Sequence, residues 1–445
     1  MRSWASSAYG YYLSAWRYGS QTEALVEEAL AREQWTAKQW QDWRDKQLAE
    51  LLELAATQVP HYRNYWRQQR DVGNTSSWEK LENWPILTKD ILREKPEAFI
   101  AESHKDKRLF KLSTSGTSGK PITIWRSRKT MQDWYALFEA RWRYWHGVSR
   151  HDRWAILGGQ LVTPTKQTKP PFWTWNSGLN QLYMSTMHIS PTNIKAYLDA
   201  LKRYNIVYLW GYASSMHNLA HMALEQGLET PKLKVAISNA ELLHPYQRES
   251  IAKAFQCPVL DTYGMSEAVA GAGECEYGSM HMWPDAGIIE VMSDTSNDLV
   301  PDGMVGRLIC TGMTNRDMPL IRYEVGDRGA VSPESGCECG RTLPILERIE
   351  GRVADNIVTA DGRRIFWLNP VFYDLPIQEA QIIQETENDL RVRVVAGANY
   401  AEEHSQEIRE RLRKRVGDMN IVVDLVDSIP RSANGKFRPV INKVV

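Results

Sequence analysis

Short apolar runs alternate with helical segments through the middle of this sequence, and this alternation limits the possible folds more than any other feature. The runs WAILGG, IVYLWG, KVAIS and PVLDTYG begin at about Trp154 and are cut by Gly and Pro, as buried strands commonly are. Segments such as NIKAYLDALKRY and HPYQRESIAKAF separate the runs and have helical character. Strands that alternate with helices predict an α/β domain with a largely parallel sheet.

The regions after this domain have different patterns. Residues 287–330 contain strand and turn signals with little helix, which predicts a β-rich portion. Farther along, apolar residues first alternate as in a strand and then recur every fourth residue as on a helix. These residues are Leu390, Val392, Val394, Ile408, Leu412 and Val416. We therefore predict a large domain over residues 1–351 and a small α+β domain over residues 352–445.

Composition excludes several classes of protein. Lys and Arg number 54, and Asp and Glu also number 54, so the net charge is zero. A nucleic-acid or anionic-membrane binder would need a positive field, which this balance does not supply. No run approaches 18 apolar residues, so we expect no membrane-spanning helix, and the N-terminus lacks a signal-peptide core. Five cysteines fit a reducing compartment, and a cytoplasmic enzyme is the expectation.

The segment LSTSGTSGKPITIW, residues 112–125, is the sharpest local signal. Its glycines allow backbone N–H groups to approach an anion, and its hydroxyls and Lys120 add donors and charge, so the segment suits a phosphate. It is not a Walker A loop, because Thr114 replaces the first glycine and Pro121 replaces the magnesium-binding hydroxyl. Taken alone, it is equally compatible with a flexible Ser/Gly turn.

Three further segments carry polar groups at turns. DTYGMSEA, residues 261–268, places an aromatic ring, a hydroxyl and a carboxylate after a short apolar run. MPLIRYEVGDRG places Asp327 in a turn, where a carboxylate can bind ribose hydroxyls. IPRSANGKFRPVINK places Lys436 in a Ser/Asn/Gly loop. Each segment singly is also compatible with exposed turn residues, but their order and spacing along the whole chain are specific.

In combination these segments resemble the adenylate-forming superfamily of acyl-CoA synthetases, luciferases and adenylation domains. The similarity is greatest to the phenylacetate–CoA ligase branch and its CapK-type relatives. It extends over nearly the whole chain, from LLELAATQVPHYRNYW and WPILTKDIL through STSGTSGKP, SNAELL and DTYGMSE to RYEVGD, LERIEGRVADNIV and IPRSANGKFR. The resemblance implies a large N-terminal domain with mixed and parallel sheets and a small, mobile C-terminal domain.

The resemblance also implies a role for each matching residue. The residues around the ATP phosphates would be Thr114, Ser115, Gly116, Thr117, Ser118 and Gly119. The residues of the adenine site would be Ala240, Glu241, Tyr263 and Gly264, with Asp261 near the exocyclic amine. Ser266 would contact the α-phosphate, and Glu267 would hold Mg²⁺. Asp327 and Arg352 would bind ribose. Lys436 would bridge the substrate carboxylate and the α-phosphate.

The hinge segment departs from the family pattern. Relatives commonly have Gly-Arg-x-Asp-Asp, whereas this chain has Gly351, Arg352, Val353, Ala354 and Asp355. Ala354 replaces one aspartate, which leaves the pivot residue open. In the family, the C-terminal domain rotates about this segment between adenylation and thioester formation, and the rotation withdraws the lysine.

Cysteines and a histidine form a candidate metal site. CEYGSMH contains Cys275 and His281, and CECG contains Cys337 and Cys339. Three thiolates and an imidazole would make a closed Cys₃His zinc site of the structural type. Some members of the resembled branch look similar here and carry structural zinc. The alternative is that these are ordinary reduced cysteines in turns.

The acid pocket has two sets of candidate residues. Phe172, Trp173, Trp175 and Tyr183 lie in an aromatic-rich segment that would either roof the pocket or pack in the core. By resemblance, the better candidates are Trp210, Tyr212, Ala213, Ser214, Ala268 and Val269. We expect an aromatic or medium-sized acid.

The resemblance predicts an ATP-dependent ligase that forms an acyl-AMP, releases pyrophosphate and passes the acyl group to CoA. An amine or a carrier-protein thiol is an alternative acceptor, and a non-catalytic nucleotide-binding protein is a third interpretation. The charge balance disfavours nucleic acid as a partner. The branch occurs in both catabolism and biosynthesis, and the chain would be a monomer or a homodimer.

Overall fold

A computed structural model of the chain describes residues 2–105, 108–113, 121–164, 166–334, 336–352, 356–359, 364–365, 368–432 and 435–444. The chain forms two compact units. The first contains residues 1–325 and 330–347, and the second contains residues 326–329 and 348–445. The domain boundary at residue 351 stays a prediction.

The α helices are α1 (Arg2–Arg17), α2 (Thr22–Arg32), α3 (Ala37–Gln58), α4 (Pro60–Asp71), α5 (Lys89–Glu94), α6 (Arg128–Phe138), α7 (Ile194–Arg203), α8 (Ala213–Glu225), α9 (Pro245–Phe255) and α10 (Glu402–Val416). The strands are β1 (Phe110–Ser113), β2 (Thr123–Arg126), β3 (Trp154–Gly158), β4 (Trp173–Asn176), β5 (Gln181–Ser185), β6 (Tyr208–Gly211), β7 (Val235–Ser238), β8 (Val259–Leu260), β9 (Thr262–Gly264), β10 (Gly271–Glu274), β11 (Met280–Met282), β12 (Gly287–Met292), β13 (Gly306–Gly312), β14 (Tyr323–Val331), β15 (Leu346–Arg352), β16 (Ile357–Val358), β17 (Arg364–Ile365), β18 (Ile377–Gln384), β19 (Asp389–Ala396), β20 (Asn420–Leu425) and β21 (Val440–Asn442). A π-helical turn, Glu139–Arg143, follows α6.

A six-stranded sheet organises the first unit, in the order β4-β5-β3-β6-β7-β8. Strands β5, β3, β6, β7 and β8 run parallel, and β4 is an antiparallel edge strand. Both faces are buried, with Leu157 and Leu209 in one apolar core and Trp210 and Ile237 in the other. Burial on both faces explains why these strands are short, nearly continuous apolar runs. The predicted α/β fold with a largely parallel sheet is confirmed.

Local signals set the ends of the N-terminal helices. Thr36 accepts a hydrogen bond from the backbone N–H of Gln39, and the Gln39 side chain accepts one from the Thr36 N–H, which is a capping box at the start of α3. Helix α3 ends at Gln58, and Pro60 begins α4 at a position where its missing N–H costs nothing.

The predicted β-rich portion consists of antiparallel strands. Residues 287–330 contain β12, β13 and most of β14, and β12 pairs antiparallel with β13, next to β14. Strands β9, β10 and β11, which precede this portion, form a separate antiparallel sheet. In the second unit, the sheet order is β20-β19-β18-β21. The apolar residues Leu390 and Val392 of β19 and Ile408 and Leu412 of α10 share its core. The predicted small α+β domain is therefore present in this part of the chain.

A buried ion-pair network joins α2, the π-helical turn and the segment before β12. Arg141 is fully buried, and its Nη atoms lie 2.5 and 2.9 Å from the Asp285 carboxylate oxygens, while its Nε lies 3.2 Å from Glu33. Burial raises the pKa of Asp285, but the charges of Arg141 and Arg32 outweigh that effect and hold the pKa below its ordinary value. Asp285 is therefore ionised at neutral pH.

Replacing Asp285 with asparagine is expected to lower the free energy of unfolding by about 3–5 kcal/mol, because the buried guanidinium of Arg141 loses its bidentate counter-charge. Urea denaturation checks this value. The matched control is Asp42→Asn, which breaks an exposed pair with Lys38 and should leave the unfolding midpoint unchanged. Equal midpoints for the two variants would contradict a structural role for Asp285.

Candidate functional site

The carboxyl ends of the parallel strands bring four of the predicted site residues to one edge of the sheet. Tyr212 follows β6, Ala240 and Glu241 follow β7, and Asp261 follows β8. In open α/β sheets, ligands bind outside this edge, because loops there diverge and leave a crevice. The topology therefore supports a ligand site at the positions that the sequence predicted.

Glu241, a predicted adenine-site residue, contacts Ser214, a predicted acid-pocket residue. Its Oε2 accepts a hydrogen bond of 3.0 Å from the backbone N–H of Ser214, in the first turn of α8. The N-cap residue Tyr212 provides no side-chain cap, so the Glu241 carboxylate from the next loop accepts from a backbone N–H that the first turn of α8 leaves without a partner. Burial, and then the Glu241 charge, raise the pKa of the Tyr212 phenol.

Two predicted site residues have strained backbone conformations. Ala240 has φ of 63° and Ala268 has φ of 53°, in the left-handed region where alanine is uncommon. Such strain persists only where the surrounding structure enforces it, and it is concentrated at functional sites. The strain is independent support for a site around these two loops.

Glu267 is buried, and two neighbouring groups orient it. Its Oε1 accepts a hydrogen bond of 2.8 Å from the Tyr323 hydroxyl, and Glu267 is 7% exposed. The guanidinium of Arg126 donates to the backbone carbonyl of Ser266. Burial lowers the pKa of Arg126 to about 10, while the nearby Glu267 charge opposes that shift. Arg126 therefore holds the loop that carries both Ser266 and Glu267.

Arg126 was not among the site residues predicted from the sequence. It lies on the same face of β2 as the buried residue Ile124. The sequence signal for this role was an arginine at a position of the alternating strand that is expected to be buried. A buried charge needs a specific partner, so such an arginine indicates a defined contact.

The Glu267 carboxylate fits a divalent cation. Carboxylate oxygens are the ligands that Mg²⁺ prefers, and Tyr323 fixes the rotation of this one. Within the described part of the chain, no hydrogen bond is formed to Oε2. That oxygen is accordingly the ligand atom we would assign to Mg²⁺.

Asp261 and Gly264 frame the predicted adenine side. Burial raises the pKa of Asp261 to about 7, although the Thr262 N–H donates to its Oδ1 at 2.9 Å and stabilises the anion. A Cβ at Gly264 would lie 3.0 Å from the Trp142 ring, so close packing explains this glycine. Tyr263 between them is buried at 7% exposure.

The predicted phosphate-loop residues Thr114, Ser115, Gly116, Thr117, Ser118 and Gly119 lie outside the described residues. Their flanking strands, β1 and β2, pair antiparallel with Ser113 opposite Thr123. The roles assigned to these six residues stay predictions.

The predicted acid-pocket residues are mostly buried. Trp210 stacks on Phe138 with a centroid distance of 4.8 Å. Ala213, Ala268 and Val269 are 0%, 1% and 2% exposed, and Ser214 is 2% exposed.

Aromatic residues of the alternative roof pack mainly in the core. Phe172 is fully buried and stacks on His188, while Trp173 and Trp175 pack against the same apolar core. Burial raises the pKa of Tyr183 to about 12. Core packing, one of the two interpretations of this segment, therefore accounts for Phe172, Trp173 and Trp175.

In the second unit, the loop before β21 carries Lys436. The Lys436 carbonyl accepts hydrogen bonds from the backbone N–H and hydroxyl of Ser432, at 3.0 and 2.8 Å. Gly435 has φ of 74°, which favours glycine. The expectation that Asp327 lies in a turn was wrong, because strand β14 continues through it from Tyr323 to Val331. Arg352 is the last residue of β15, with its side chain outside the described part.

The hinge residues Val353, Ala354 and Asp355 are outside the described residues. The pivot therefore stays open.

Cys275, His281, Cys337 and Cys339 come together in the first unit. Their ligand atoms all lie within 4.8 Å of one another. The Sγ atoms of Cys275 and Cys337 are 3.7 Å apart, and Cys339 Sγ lies 3.2 Å from His281 Nε2. Thiolates bound at 2.3 Å to a tetrahedral zinc are separated by about 3.8 Å, so the spacing fits such a centre.

The histidine of this cluster is oriented for ligation. His281 Nδ1 lies 3.1 Å from the Leu343 carbonyl, which favours a proton on Nδ1 and leaves Nε2 facing Cys339. Burial lowers the pKa of His281, so the imidazole is neutral. A neutral ring with a fixed tautomer is the form that binds zinc.

The sequence and the fold of this chain are similar to those of several known proteins. Residues 357–443 match the CapK C-terminal domain family. Protein CapK of Staphylococcus aureus is 26% identical over 420 residues, covering 90% of this chain and 91% of that protein. A phenylacetate–coenzyme A ligase of Thermus thermophilus is 24% identical over 463 residues, covering 93% of this chain and 98% of that protein. The structure of a 2-hydroxyisobutyryl-CoA ligase in the postadenylation state, in complex with R3-HIB-AMP, has a TM-score of 0.71 at 21% identity, covering 93% of this chain and 92% of that one.

This chain has the adenylate-forming fold. The resemblance to the branch of CapK and phenylacetate–CoA ligase is confirmed. The loops after β7 and β8, which carry Ala240 and Asp261, and the loop between β9 and β10, which carries Glu267, form the candidate active site. Among the described residues, no helix has the length and apolarity to cross a membrane. The cytoplasmic location and the oligomeric state stay predictions.

Proposed function

We propose that this chain uses ATP to activate a carboxylic acid as an acyl-AMP, releases pyrophosphate, and then passes the acyl group to CoA. The observation that carries the proposal is the buried Glu267, held by Tyr323 in the loop that Arg126 anchors. The relatives that match along most of the chain support it, because several are named as CoA ligases. We propose an aromatic or medium-sized acid as the substrate.

In the first step, a carboxylate oxygen attacks the α-phosphorus, and the bond from phosphorus to the pyrophosphate oxygen breaks. Both reactants are anions, so the reaction requires positive charge where negative charge develops. Lys436 would supply that charge between the carboxylate and the α-phosphate. Glu267 would hold a divalent cation, which when bound neutralises the phosphates. The Ser266 hydroxyl would donate to the α-phosphate.

In the second step, the CoA thiolate attacks the acyl carbonyl, and AMP leaves with the electron pair of the broken bond. Asp327 and Arg352 would hold the ribose through both steps. Asp261 would accept a hydrogen bond from the adenine amine, and Tyr263 would stack on the ring. An amine or a carrier-protein thiol in place of CoA would use the same first step.

Acid-dependent exchange between ATP and labelled pyrophosphate, measured over a panel of aryl, fatty and amino acids, tests the proposal. Exchange with one class of acid would support adenylation and identify the substrate class. Acyl-CoA formation from the same acid would then select CoA over an amine or a carrier protein. ATP binding without exchange for any acid of the panel would contradict the proposed ligase and favour a non-catalytic nucleotide-binding protein.

We also propose that Cys275, His281, Cys337 and Cys339 hold a structural zinc ion. All four positions of a tetrahedral centre are protein atoms, which is typical of structural rather than catalytic zinc.

Protein purified without chelator is expected to contain about one zinc ion per chain, and Cys339→Ser is expected to lose most of it. Elemental analysis measures the content. The matched control is Cys257→Ser, which changes a buried cysteine outside the cluster and should keep the metal. Zinc well below one per chain in the unsubstituted protein would contradict the site.

A further inference from the structure

A polar cavity lies at the opposite edge of the large sheet from the candidate active site. It measures about 90 Å³ and is lined by residues that include Ser14, Arg17, Tyr18, Arg143, Arg150 and Trp154. Trp154 begins β3, and Gly158 ends it at the edge of the sheet where Tyr212 follows β6. Four residues of extended strand separate the two positions by about 13 Å.

The cavity contains more positive than negative charge. Arg143 pairs with Glu139 at 2.7 Å, and the Arg150 guanidinium pairs with Glu23. Arg17 forms no ion pair with a described carboxylate, and its guanidinium lies 4.5 Å from the Tyr135 ring centroid. Three guanidinium groups therefore face two carboxylates. A partly buried excess charge is costly unless an anion compensates it.

Three arginine N–H groups around the cavity have no partner in the described part of the chain. They are Arg17 Nε, Arg143 Nε and Arg150 Nη1. The Arg143 side chain is 3% exposed, and the nearest Glu139 oxygen to Arg150 Nη1 is 3.9 Å away, beyond hydrogen-bond distance. Buried donors without acceptors are rare in folded proteins, and guanidinium donors match oxyanions best.

The fold holds these arginines in place without an anion. Arg143 ends the π-helical turn, an irregularity that often occurs at functional sites. Its guanidinium lies 4.9 Å from the Phe138 ring centroid and 5.1 Å from that of Trp154. The Tyr18 hydroxyl accepts a bond of 3.1 Å from Arg143 Nη1, and the Arg150 guanidinium lies 4.8 Å from the Tyr18 ring centroid. Aromatic contacts thus preorganise the donors.

We propose that this cavity binds one tetrahedral oxyanion of the size of inorganic phosphate. Its volume is well below the roughly 300 Å³ at which drug-sized ligand sites begin, so it excludes a nucleotide. Pyrophosphate, the expected product of the proposed reaction, shares the chemistry but is larger. Orthophosphate is therefore the expected ligand, and a competition experiment distinguishes its binding from that of pyrophosphate.

Equilibrium dialysis of the full chain against labelled orthophosphate tests the proposal. A non-hydrolysable ATP analogue at saturation blocks the candidate active site. About one phosphate per chain is expected to remain bound, and pyrophosphate should compete at least about tenfold less well than unlabelled phosphate. Arg17→Ala and Arg150→Gln are each expected to weaken binding at least about tenfold, because each removes a charged donor.

The matched control is Lys129→Ala, which removes an exposed positive charge from neighbouring α6 and should leave binding unchanged. Circular dichroism checks that each variant folds, and buried Arg143 is left intact for that reason. Full displacement by the ATP analogue, no binding at millimolar phosphate, or undiminished binding by the folded Arg17→Ala variant would overturn the proposal. None of these outcomes depends on ligase activity, so failure of the proposed function is distinguishable.

Discussion

Replacing Lys436 with alanine is expected to slow acyl-adenylate formation by about 10²–10³-fold, while the affinity for ATP changes little. A preorganised charged donor at the reacting centre is worth about 3 kcal/mol in the transition state. The ground state needs this charge less, because the carboxylate and the phosphate have not yet begun to share an oxygen. The loss is therefore expected in kcat more than in KM for ATP.

Contacts of neighbouring residues fix the backbone of the loop that carries Lys436. Arg431 pairs with Glu379 of β18, and its guanidinium lies 4.9 Å from the Phe437 ring centroid. Ser432 bonds the Lys436 carbonyl, and Gly435 permits the tight turn. Alanine at position 436 leaves all of these contacts in place. The variant should therefore fold, and its lost activity would report on the charge alone.

Pyrophosphate exchange at saturating acid measures the effect, with Lys443→Ala as the matched control. Lys443 lies in the same unit and pairs with Glu385, so its loss removes an equal charge from another place. We expect the control to exchange at close to the unsubstituted rate. Exchange by Lys436→Ala at that same rate would refute the role of Lys436 in adenylation.

The large sheet could be predicted because its strands are buried on both faces. Burial makes each strand a short apolar run, and the helices between them carry their own periodicity. Ala240 and Asp261 were assigned by resemblance, and the fold places both just after strands of this sheet, whose carboxyl ends share an edge. The same patterns in β19 and α10 predicted the small domain.

The contacts that orient the candidate site could not be predicted, because they join residues far apart in sequence. Arg126 and Ser266 are 140 residues apart, and Tyr323 and Glu267 are 56 apart. No local pattern encodes such a pair. The cap that Glu241 provides to α8 is likewise a contact across 27 residues.

The cluster of Cys275, His281, Cys337 and Cys339 could be predicted only in part from the sequence. Residue types alone suggested the four ligands, but Cys275 and Cys337 are 62 residues apart, which no compact zinc motif contains. Only the fold shows that their sulfur atoms meet. From the sequence, ordinary cysteines in turns and a metal centre were therefore equal alternatives, and the short distances between the ligand atoms support the proposed zinc site.

Replacing Glu267 with glutamine is expected to lower pyrophosphate exchange by about 10²–10³-fold and to raise the magnesium concentration needed for half-maximal rate. The amide keeps the size of the side chain and accepts from Tyr323, but it lacks the charge that a hard cation requires. Tyr323→Phe keeps the charge and removes only the hydrogen bond that orients it. Its expected loss is about 10–10²-fold, because a hydrogen bond to a charged group is worth about 1.5–3 kcal/mol.

The two variants together separate charge from orientation. Exchange rates measured against magnesium concentration should show a strong shift for Glu267→Gln and a weaker one for Tyr323→Phe. The matched control is Glu324→Gln, which removes a carboxylate next to Tyr323 that pairs with Arg307. It should leave the magnesium requirement unchanged. A rate loss in Glu267→Gln with no change in the magnesium requirement would exclude metal binding, and the buried carboxylate would then act by holding the loop around Ser266.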